Sequence, residues 1–452
     1  MKITPKQIRN QFVDNKIQKS LAIDNLISII EKSEFQKERV EAMKILEELD
    51  FKSLEIYNLF ENLLISENND TVRRYAAEII GENFLIMGLK PMIWSLNHES
   101  TKQCLDIIYS NIIRAVRLLK KDKSNSSRNI LQDLISKINK KEFKIPLDTI
   151  LMKKGLENLS NPLLSTILIN FYTAIYLEKV FWRIKYEIDN LQIIKLNFMF
   201  KGLTSIPEPL KNLKSLKKLI FRYNQIVSLP EWIGTFKKLK ILNLNINELY
   251  SLPESVGKLR SLKELYLWKN DLETLPKSIG SLKSLKILNI RLNYLTSLPG
   301  TIGKLKNLEN LNLHDNKLVF LPPSIGSLKS LTNLNLSWNK IENLPDSIGN
   351  LTFVKKLDLG KNRLESLPDI IGELISLETL NLSENKLSNL PENITKLKNL
   401  KSLNLFRNKI TELPKNMVNL TNLKEIYLGG NDLNPDSDEI KQLKSNGVNI
   451  YF

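Results

Sequence analysis

Side chains that commonly perform catalysis or bind metals are few in this sequence and lie far apart. Histidine occurs at His98 and His314, and Cys104 is the single cysteine. His98 and Cys104 are separated by a spacing that does not bring two side chains to one face of a helix. No C-x-x-C, H-E-x-x-H, G-x-S-x-G or phosphate-binding G-x-x-x-x-G-K-[ST] motif occurs. We therefore expect no enzyme, no metal or cofactor site and no small-molecule substrate.

Recognition is the chemistry for which the sequence is better equipped. Its second half carries large aromatic, apolar and arginine side chains at positions where the surrounding pattern of leucines requires none. Exposed Trp, Tyr and Arg are the residues that protein-binding hot spots favour, although scattered surface apolar residues are the alternative interpretation. The candidate partner-binding residues are Arg222, Tyr223, Tyr266, Trp268, Arg291, Leu292, His314, Trp338, Phe406 and Arg407.

A column of asparagines indicates how the chain positions these side chains. Ten asparagines, from Asn224 to Asn431, follow one another at a constant step of 23 residues, and ten prolines keep the same step. Leucines recur between them as L-x-x-L-x-L-x-x-N-x-L, for example from Leu262 to Leu272. Units of this length stack, so that the leucines form a core and the L-x-L segments form a parallel sheet. We expect each asparagine amide to bond backbone groups of its own and the adjacent turn.

The unit resembles that of the Ras-group leucine-rich repeat proteins, which also occurs in the scribble and erbin polarity scaffolds. The resemblance lies in L-P-x-x-I-G-x-L-x-x-L, as from Leu275 to Leu285, and covers residues 190–452. It implies an α/β leucine-rich-repeat solenoid, a horseshoe whose parallel sheet lines the concave face, with about 11 units over 190–433 and a C-terminal cap over 434–452. It also implies that the concave face binds other proteins, small GTPases among them.

Residues 1–120 predict successive amphipathic helices. Asn69 is placed to cap the helix that follows it, which carries a D-x-V-R-x-x-A pattern and a closing Gly81. This segment resembles the second helix of a HEAT-type repeat, with an echo in which Ala42 matches Ala76; an unrelated helical bundle is the alternative. Residues 121–189 predict a helical connector that breaks near Pro146 and packs on the N-terminal end of the solenoid. The predicted fold is thus an all-α HEAT-like domain followed by the solenoid.

An apolar segment, the number of cysteines and the first residues of the chain bear on localisation. No charged residue occurs between Glu157 and Glu178, the segment from Leu163 to Leu177 is largely apolar, and this length could just cross a bilayer. Its polar members, such as Asn170 and Thr173, favour a buried helix instead. A chain with one cysteine forms no internal disulfide, and its first residues contain no apolar signal segment. We therefore expect a cytoplasmic protein.

Three further columns recur in the repeats. Asparagine dominates the position between the paired leucines, which favours a second hydrogen-bonded ladder. The glycines from Gly234 to Gly372 are expected to relax the short outer helices. A basic column precedes the strands in a chain with a formal charge of +17, and we interpret it as a solvated face rather than a track for phosphates. Its members are Lys214, Lys237, Arg260, Lys283, Lys306, Lys329 and Lys398.

The sequence therefore predicts a monomeric, non-enzymatic scaffold or adaptor in intracellular signalling, which binds a partner protein on its concave face. The alternative is an electrostatic binder of nucleic acid or an anionic membrane surface through the lysine-rich face. Of the two functions, we favour the first.

Overall fold

A computed structural model describes residues 3–137, 155 and 158–452. The chain divides into two compact units, of which the first comprises 1–184 with 188–192 and the second comprises 185–187 with 193–452. The first unit is helical and the second is a stack of parallel strands, so the predicted fold class is confirmed. The predicted break near Pro146 lies outside the described residues, and the predicted subdivision at residue 120 stays a prediction.

Nine α-helices lie in the described part of the first unit. They are α1 (Pro5–Val13), α2 (Lys19–Lys32), α3 (Gln36–Glu48), α4 (Leu54–Ser66), α5 (Asp70–Asn83), α6 (Leu89–His98), α7 (Lys102–Lys121), α8 (Asn125–Ser136) and α9 (Asn161–Val180).

Helices α3, α5 and α7 pack side by side, each paired with the helix before it. Asn69 caps α5, because its Oδ1 accepts hydrogen bonds from the backbone N–H groups of Thr71 at 3.0 Å and Val72 at 3.2 Å. An arginine near the start of α3 and another near the start of α5 each pair with a glutamate that ends a later helix, as Arg73 does with Glu99 at 2.7 Å. The helical unit therefore repeats one ion-pair geometry between successive helix pairs.

The pair between Arg73 and Glu99 predicts a pH-dependent loss of stability. Burial alone raises the pKa of Glu99, but hydrogen bonds from Arg73 and from the backbone of Thr101 and Ser100 outweigh it and hold the pKa at about 2. The stabilisation is thus complete above pH 4.5, the ordinary value for a glutamate, and is lost as the pH falls towards 2. We expect Glu99→Gln to lower the unfolding free energy at neutral pH by about 2–3 kcal/mol, since it leaves Arg73 buried without a counter-charge.

Urea denaturation of the full chain, followed by circular dichroism at several pH values, measures this effect. The difference between Glu99→Gln and wild type should shrink as the pH falls through that window. Asp133→Asn removes a solvent-exposed pair with Lys137 and should change stability by less than about 1 kcal/mol. Equal losses in the two variants would contradict the assignment.

Helix α9 is the one helix of the described residues that is long and apolar enough to cross a membrane by length and composition, and 61% of that window is buried within the protein. It packs against α7 and α8. Its Thr173 hydroxyl lies 2.9 Å from the Tyr109 hydroxyl, and Tyr176 donates a hydrogen bond to Asp106. Its apolar character is therefore used in the core of the helical unit, which agrees with the predicted buried helix; that this helix seals the end of the solenoid stays a prediction.

Within the described residues, thirteen strands form one sheet in chain order. The partners from β2 to β12 are residues 23 apart, so the sequence period itself sets the register, as in the pairing of Leu242 with Leu265. The strands are β1 (Lys185–Asp189), β2 (Gln192–Asn197), β3 (Lys218–Ile220), β4 (Ile241–Asn243), β5 (Glu264–Tyr266), β6 (Ile287–Asn289), β7 (Asn310–Asn312), β8 (Asn333–Asn335), β9 (Lys356–Asp358), β10 (Thr379–Asn381), β11 (Ser402–Asn404), β12 (Glu425–Tyr427) and β13 (Asn449–Tyr451).

The asparagine column forms a hydrogen-bonded ladder between adjacent repeats, and eight of its ten side chains are buried. Asn270 donates from Nδ2 to the carbonyl of Leu267 in its own repeat and of Leu244 in the preceding one, both at 3.0 Å. Its Oδ1 accepts from the N–H of Leu249 at 3.1 Å. The predicted bonds to the same and the adjacent turn are confirmed. The ladder therefore holds each turn to its neighbour.

Short 3₁₀ turns lie at the other end of each repeat and pack against one another. Most begin directly after the recurring proline, whose fixed φ and missing N–H suit that position. The turns span Glu208–Asn212, Glu231–Thr235, Glu254–Lys258, Lys277–Ser281, Gly300–Lys304, Pro323–Ser327, Asp346–Asn350, Asp369–Glu373, Glu392–Lys396 and Met417–Asn419. Helix α10 (Asp438–Ser445) follows the last repeat, and its Ile440 and Leu443 are buried as predicted.

The recurring glycine in these turns serves close approach and not relaxation of the helix, which corrects the sequence interpretation. A Cβ on Gly303 would lie 2.3 Å from the carbonyl oxygen of Ser324 and 2.8 Å from its Cβ. The glycines from Gly234 to Gly372 all face the next turn in this way. The neighbouring repeat therefore leaves no room for a side chain at these seven glycines.

Gly303→Ala should lower the unfolding free energy by about 1–3 kcal/mol, because the new methyl group overpacks against backbone that cannot move freely. Gly300→Ala, three residues earlier in the same turn, is the matched control, since its Cβ would meet nothing within 4 Å. That control should be neutral or stabilising by up to about 1 kcal/mol. Urea denaturation of both variants measures the difference, and similar values for the two would contradict a role for glycine in close approach.

Candidate functional site

The loops that leave the sheet share an unusual backbone. We call the surface formed by the strands and these loops the sheet face. The residue before each ladder asparagine has a positive φ, from 59° at Tyr223 through 56° at Trp338 to 51° at Arg407, and Phe200, one 23-residue step before Tyr223, has a φ of 58°. Residues other than glycine rarely adopt this backbone conformation, which costs about 1–3 kcal/mol for each such residue. The repeat imposes it on every unit, so bulky residues are presented on the sheet face at the same point of successive loops.

Five large side chains of the first loops on the sheet face lie in contact with one another. Phe200 stacks on Tyr223, with ring centroids 4.4 Å apart. The guanidinium group of Arg222 lies 4.7 Å from the Tyr223 ring and 5.6 Å from the Trp268 ring. Arg291 lies 4.8 Å from the Trp268 ring. We call these residues the aromatic–arginine cluster.

A second group adjoins the first at Arg291. His314 and Trp338 meet edge to face at 6.2 Å, and the Lys361 ammonium lies 3.7 Å from the Trp338 ring centroid. His314 also hydrogen-bonds through Nδ1 to the Ser337 hydroxyl at 2.8 Å. Burial, and then the charge of Arg291, lower the pKa of His314, so its ring is neutral at pH 7. Arg291, His314, Trp338 and Lys361 line one depression on the sheet face.

The two groups together form a row of contacting side chains along the sheet face, which we call the sheet-face row. Phe406 and Arg407 are connected to this row only through ion pairs of Glu384. Glu384 lies 3.4 Å from Lys361 and 3.9 Å from Arg407, and the Arg407 guanidinium lies 5.0 Å from the Phe406 ring. Along its own 23-residue column, Phe406 is separated from His314 by the small residues Ser337, Gly360 and Ser383.

Tyr266 and Leu292 take other positions. The Tyr266 hydroxyl donates to Glu264 of its own strand at 2.9 Å; burial, followed by this carboxylate, raises the pKa of Tyr266 to about 12. Leu292 is half-buried directly after Arg291, with a φ of 55°.

The asparagines between the paired leucines do form hydrogen bonds, mainly within their own repeat. Asn312 accepts from the N–H of His314 at 3.0 Å and Asn404 accepts from that of Phe406 at 3.0 Å. A bond across repeats joins Asn381 to Asp358 at 2.9 Å. Each asparagine of this column is the last residue of its strand and orients the backbone of the residue two positions later. In other repeats that later position holds Arg222, Trp268 and Arg291. The column of strand-end asparagines forms the polar floor of the sheet face.

The basic column has a structural use that the sequence interpretation missed. Lys306 donates to the carbonyl of Ser327 at 2.8 Å and Lys398 to that of Asn419 at 2.8 Å. Lys237, Lys283 and Lys329 make the same contact with the last carbonyls of the next turn. Cations at this end of a turn satisfy its free carbonyl groups. These lysines are therefore tied to the adjacent repeat, and solvation is only part of their role.

His98 and Cys104 have separate partners. The His98 ring stacks on Trp94 at 3.9 Å, and Cys104 donates to the carbonyl of Asp70 at 3.1 Å. Burial raises the pKa of the Cys104 thiol to about 12, which keeps it protonated at neutral pH. Among the described residues, no group of three or more His, Cys, Asp or Glu side chains could hold a metal ion.

Sequence reasoning missed two members of the sheet-face row and the glutamate that extends it. Lys361 and Glu384 look like ordinary surface charges in the sequence, since only the geometry shows the ammonium over a tryptophan ring and the carboxylate between two cations. Phe200 lies 23 residues before Tyr223 and is 66% exposed. Extending the 23-residue count one unit back into the irregular first repeat would have found it.

Family models describe the same region. A model of a leucine-rich repeat region matches residues 186–292 and 265–339, a leucine rich repeat model matches 352–410 and 375–433, and a further repeat model matches 330–351. Together these matches cover more than half of the chain without a gap. The chain belongs to the leucine-rich repeat proteins. Such proteins, including internalins and receptors, are generally protein-interaction modules.

Solved structures of leucine-rich repeat proteins resemble the chain over its repeat half. A Leptospira interrogans protein of this family is 32% identical over 58% of this chain and 85% of its own, with a TM-score of 0.39. The functional domain of InlJ from Listeria monocytogenes is 25% identical over 57% of this chain and 53% of its own, with a TM-score of 0.49. A plant peptide hormone receptor, solved in complex with its peptide, is 25% identical over 51% and 42%, at 0.44. No curated protein matches the chain.

Proposed function

We propose that this leucine-rich repeat protein is a non-enzymatic scaffold that binds a partner protein on its sheet face. The observation that carries the proposal is the continuous row from Phe200 through Trp268 to Trp338 and Lys361. The leucine core needs none of these side chains. At the same two positions of the repeat, most other repeats carry small or polar residues. Aromatic and arginine side chains concentrate binding energy because they cover a large area with few rotatable bonds.

The identity of the partner is proposed from the resemblance to the Ras-group repeats. It suggests a small GTPase or another signalling protein in the cytoplasm, bound by a monomer that acts as an adaptor. The helical unit offers a second surface for this adaptor role. The rival function, electrostatic binding of nucleic acid or an anionic membrane, relied on the basic column. Five of those lysines donate hydrogen bonds to carbonyl groups of the adjacent turn. These bonds are a sufficient reason for lysine to recur at this position without a nucleic acid or membrane partner.

Affinity capture from native lysate tests the proposal. The full chain is compared with a Tyr266→Ala, Trp268→Ala, Trp338→Ala triple variant, and bound proteins are identified by mass spectrometry. We expect a protein that the wild type retains and the triple variant loses, with modest sensitivity to salt. A nucleic acid, or binding that falls steeply between about 50 and 200 mM salt and survives in the triple variant, would support the rival instead.

A further inference from the structure

The two arginines that flank Trp268, Arg222 and Arg291, differ from Arg363 and Arg407 of the same array in having no acidic partner among the described residues. Arg363 and Arg407 each lie within 3.9 Å of a glutamate of an adjacent repeat. Within the described residues, no ion pair involves Arg222 or Arg291; the Arg222 guanidinium donates to the Tyr223 hydroxyl at 3.2 Å, and both arginines lie by the Trp268 ring. Both side chains are only half-buried, so part of each reaches solvent.

The same three residues hold a set of unsatisfied donors. In the described part of the repeat unit, the buried side-chain nitrogens without a hydrogen-bond acceptor are Arg222 Nε, Trp268 Nε1 and Arg291 Nε. A buried donor without an acceptor costs about 1–3 kcal/mol, and native proteins leave few of them. These three groups meet at one ring, unlike the four buried serine hydroxyls without a partner that are spread over the turns, so an acceptor added here would satisfy several donors at once.

The chemistry of that acceptor is set by the donors. Guanidinium groups bind planar or tetrahedral oxyanions through paired N–H groups, and an arginine cluster is a common way to recognise acidic or phosphorylated side chains. The electrostatic field agrees, since Arg291 helps to lower the pKa of the adjacent His314. The position is a single place on the sheet face and not a track along the repeats, which fits one acidic group of a protein better than a polyanion.

We propose that Arg222 and Arg291 form an anion site beside Trp268, which receives a carboxylate or phosphate group carried by the partner protein. The inference rests on the proposed function, because it names the chemistry of the partner at that surface. An apolar neighbour of the anionic group would cover the Trp268 ring. Trp268 and Arg291 would then bind an acidic segment of the partner, and the row from His314 to Lys361 would contact the residues next to that segment.

The Trp268 indole N–H reports on the site without any partner. Its resonance in the ¹H–¹⁵N spectrum of the full chain is assigned by its disappearance in Trp268→Phe. Sodium phosphate and sodium acetate are then titrated separately at constant ionic strength, with chloride as the baseline, which distinguishes phosphate from carboxylate as the preferred group. We expect a saturable shift with at least one of them, with a Kd of about 1–10 mM for so small a ligand.

Arg222→Gln combined with Arg291→Gln should weaken this response about tenfold or more. The control is Arg363→Gln combined with Lys386→Gln, which makes the same change in charge on the same array but removes cations that already have glutamate partners. An absent or unsaturable shift, or equal weakening in the two double variants, would overturn the site. Because the titration uses no partner, a failed titration beside a successful lysate capture would leave the proposed function standing.

Discussion

Replacing Asn316 by alanine is expected to lower the free energy of unfolding by about 3 kcal/mol or more, because several buried backbone groups depend on its amide. Its Nδ2 donates to the carbonyls of Ile290 at 3.0 Å and Leu313 at 3.1 Å. Its Oδ1 accepts from the N–H of Leu295 at 3.0 Å. Alanine leaves these backbone groups buried without partners at a junction between two repeats.

Urea denaturation measures the loss, and two further variants make it specific. Asn307→Ala removes an exposed asparagine with one bond, to the carbonyl of Lys283 at 2.8 Å, and should cost less than about 1 kcal/mol. Asn316→Asp keeps the acceptor for Leu295 but loses the donor, and we expect it to fall between the two. Since each repeat contacts only its neighbours, the transition of Asn316→Ala should also broaden as the array loses cooperativity. A loss no larger than that of Asn307→Ala would contradict the role of the ladder.

The fold of the repeat half was largely predictable because its period sets its register. When residue i pairs with residue i + 23, the position of every side chain relative to the sheet is known from a count along the chain. The contacts between repeats were less predictable. The glycine column and the lysine column both depend on how closely the next turn approaches, as Gly303 to Ser324 and Lys306 to Ser327 show. A distance between neighbouring backbones is not written in the pattern of either repeat alone.

The sequence predicted on which surface the candidate residues lie, but it did not predict which of them contact one another. The count along the chain placed Trp268, Arg291 and Trp338 on the same surface, and the structure brings Trp268 and Arg291 together. It did not indicate that Lys361 covers Trp338. Nor did it indicate the left-handed backbone that presents Trp338, because a positive φ in a bulky residue is imposed by the repeat and contradicts the residue's own preference. That the surface binds a protein remains a proposal.

Trp268→Ala should weaken binding of the partner protein by about 2 kcal/mol or more, a loss typical of hot-spot residues. The substitution removes the ring that lies beside both Arg222 and Arg291, so it also leaves two guanidinium groups without the surface that orients them. Trp268→Phe retains an aromatic face but no N–H donor, and we expect a smaller loss. Both variants should fold, because the Trp268 side chain is only half-buried and takes no place in the leucine core.

The most direct test of binding at the sheet face is the Kd of the purified partner, obtained by isothermal titration calorimetry with wild type, Trp268→Ala and Phe353→Ala. Phe353 is an aromatic residue that is 62% exposed and lies between a 3₁₀ turn and β9, outside the loops of the sheet face. We predict a loss of about 30-fold or more for Trp268→Ala and an unchanged Kd for Phe353→Ala. An unchanged Kd for Trp268→Ala, or a larger loss for Phe353→Ala, would place the binding surface elsewhere on the molecule.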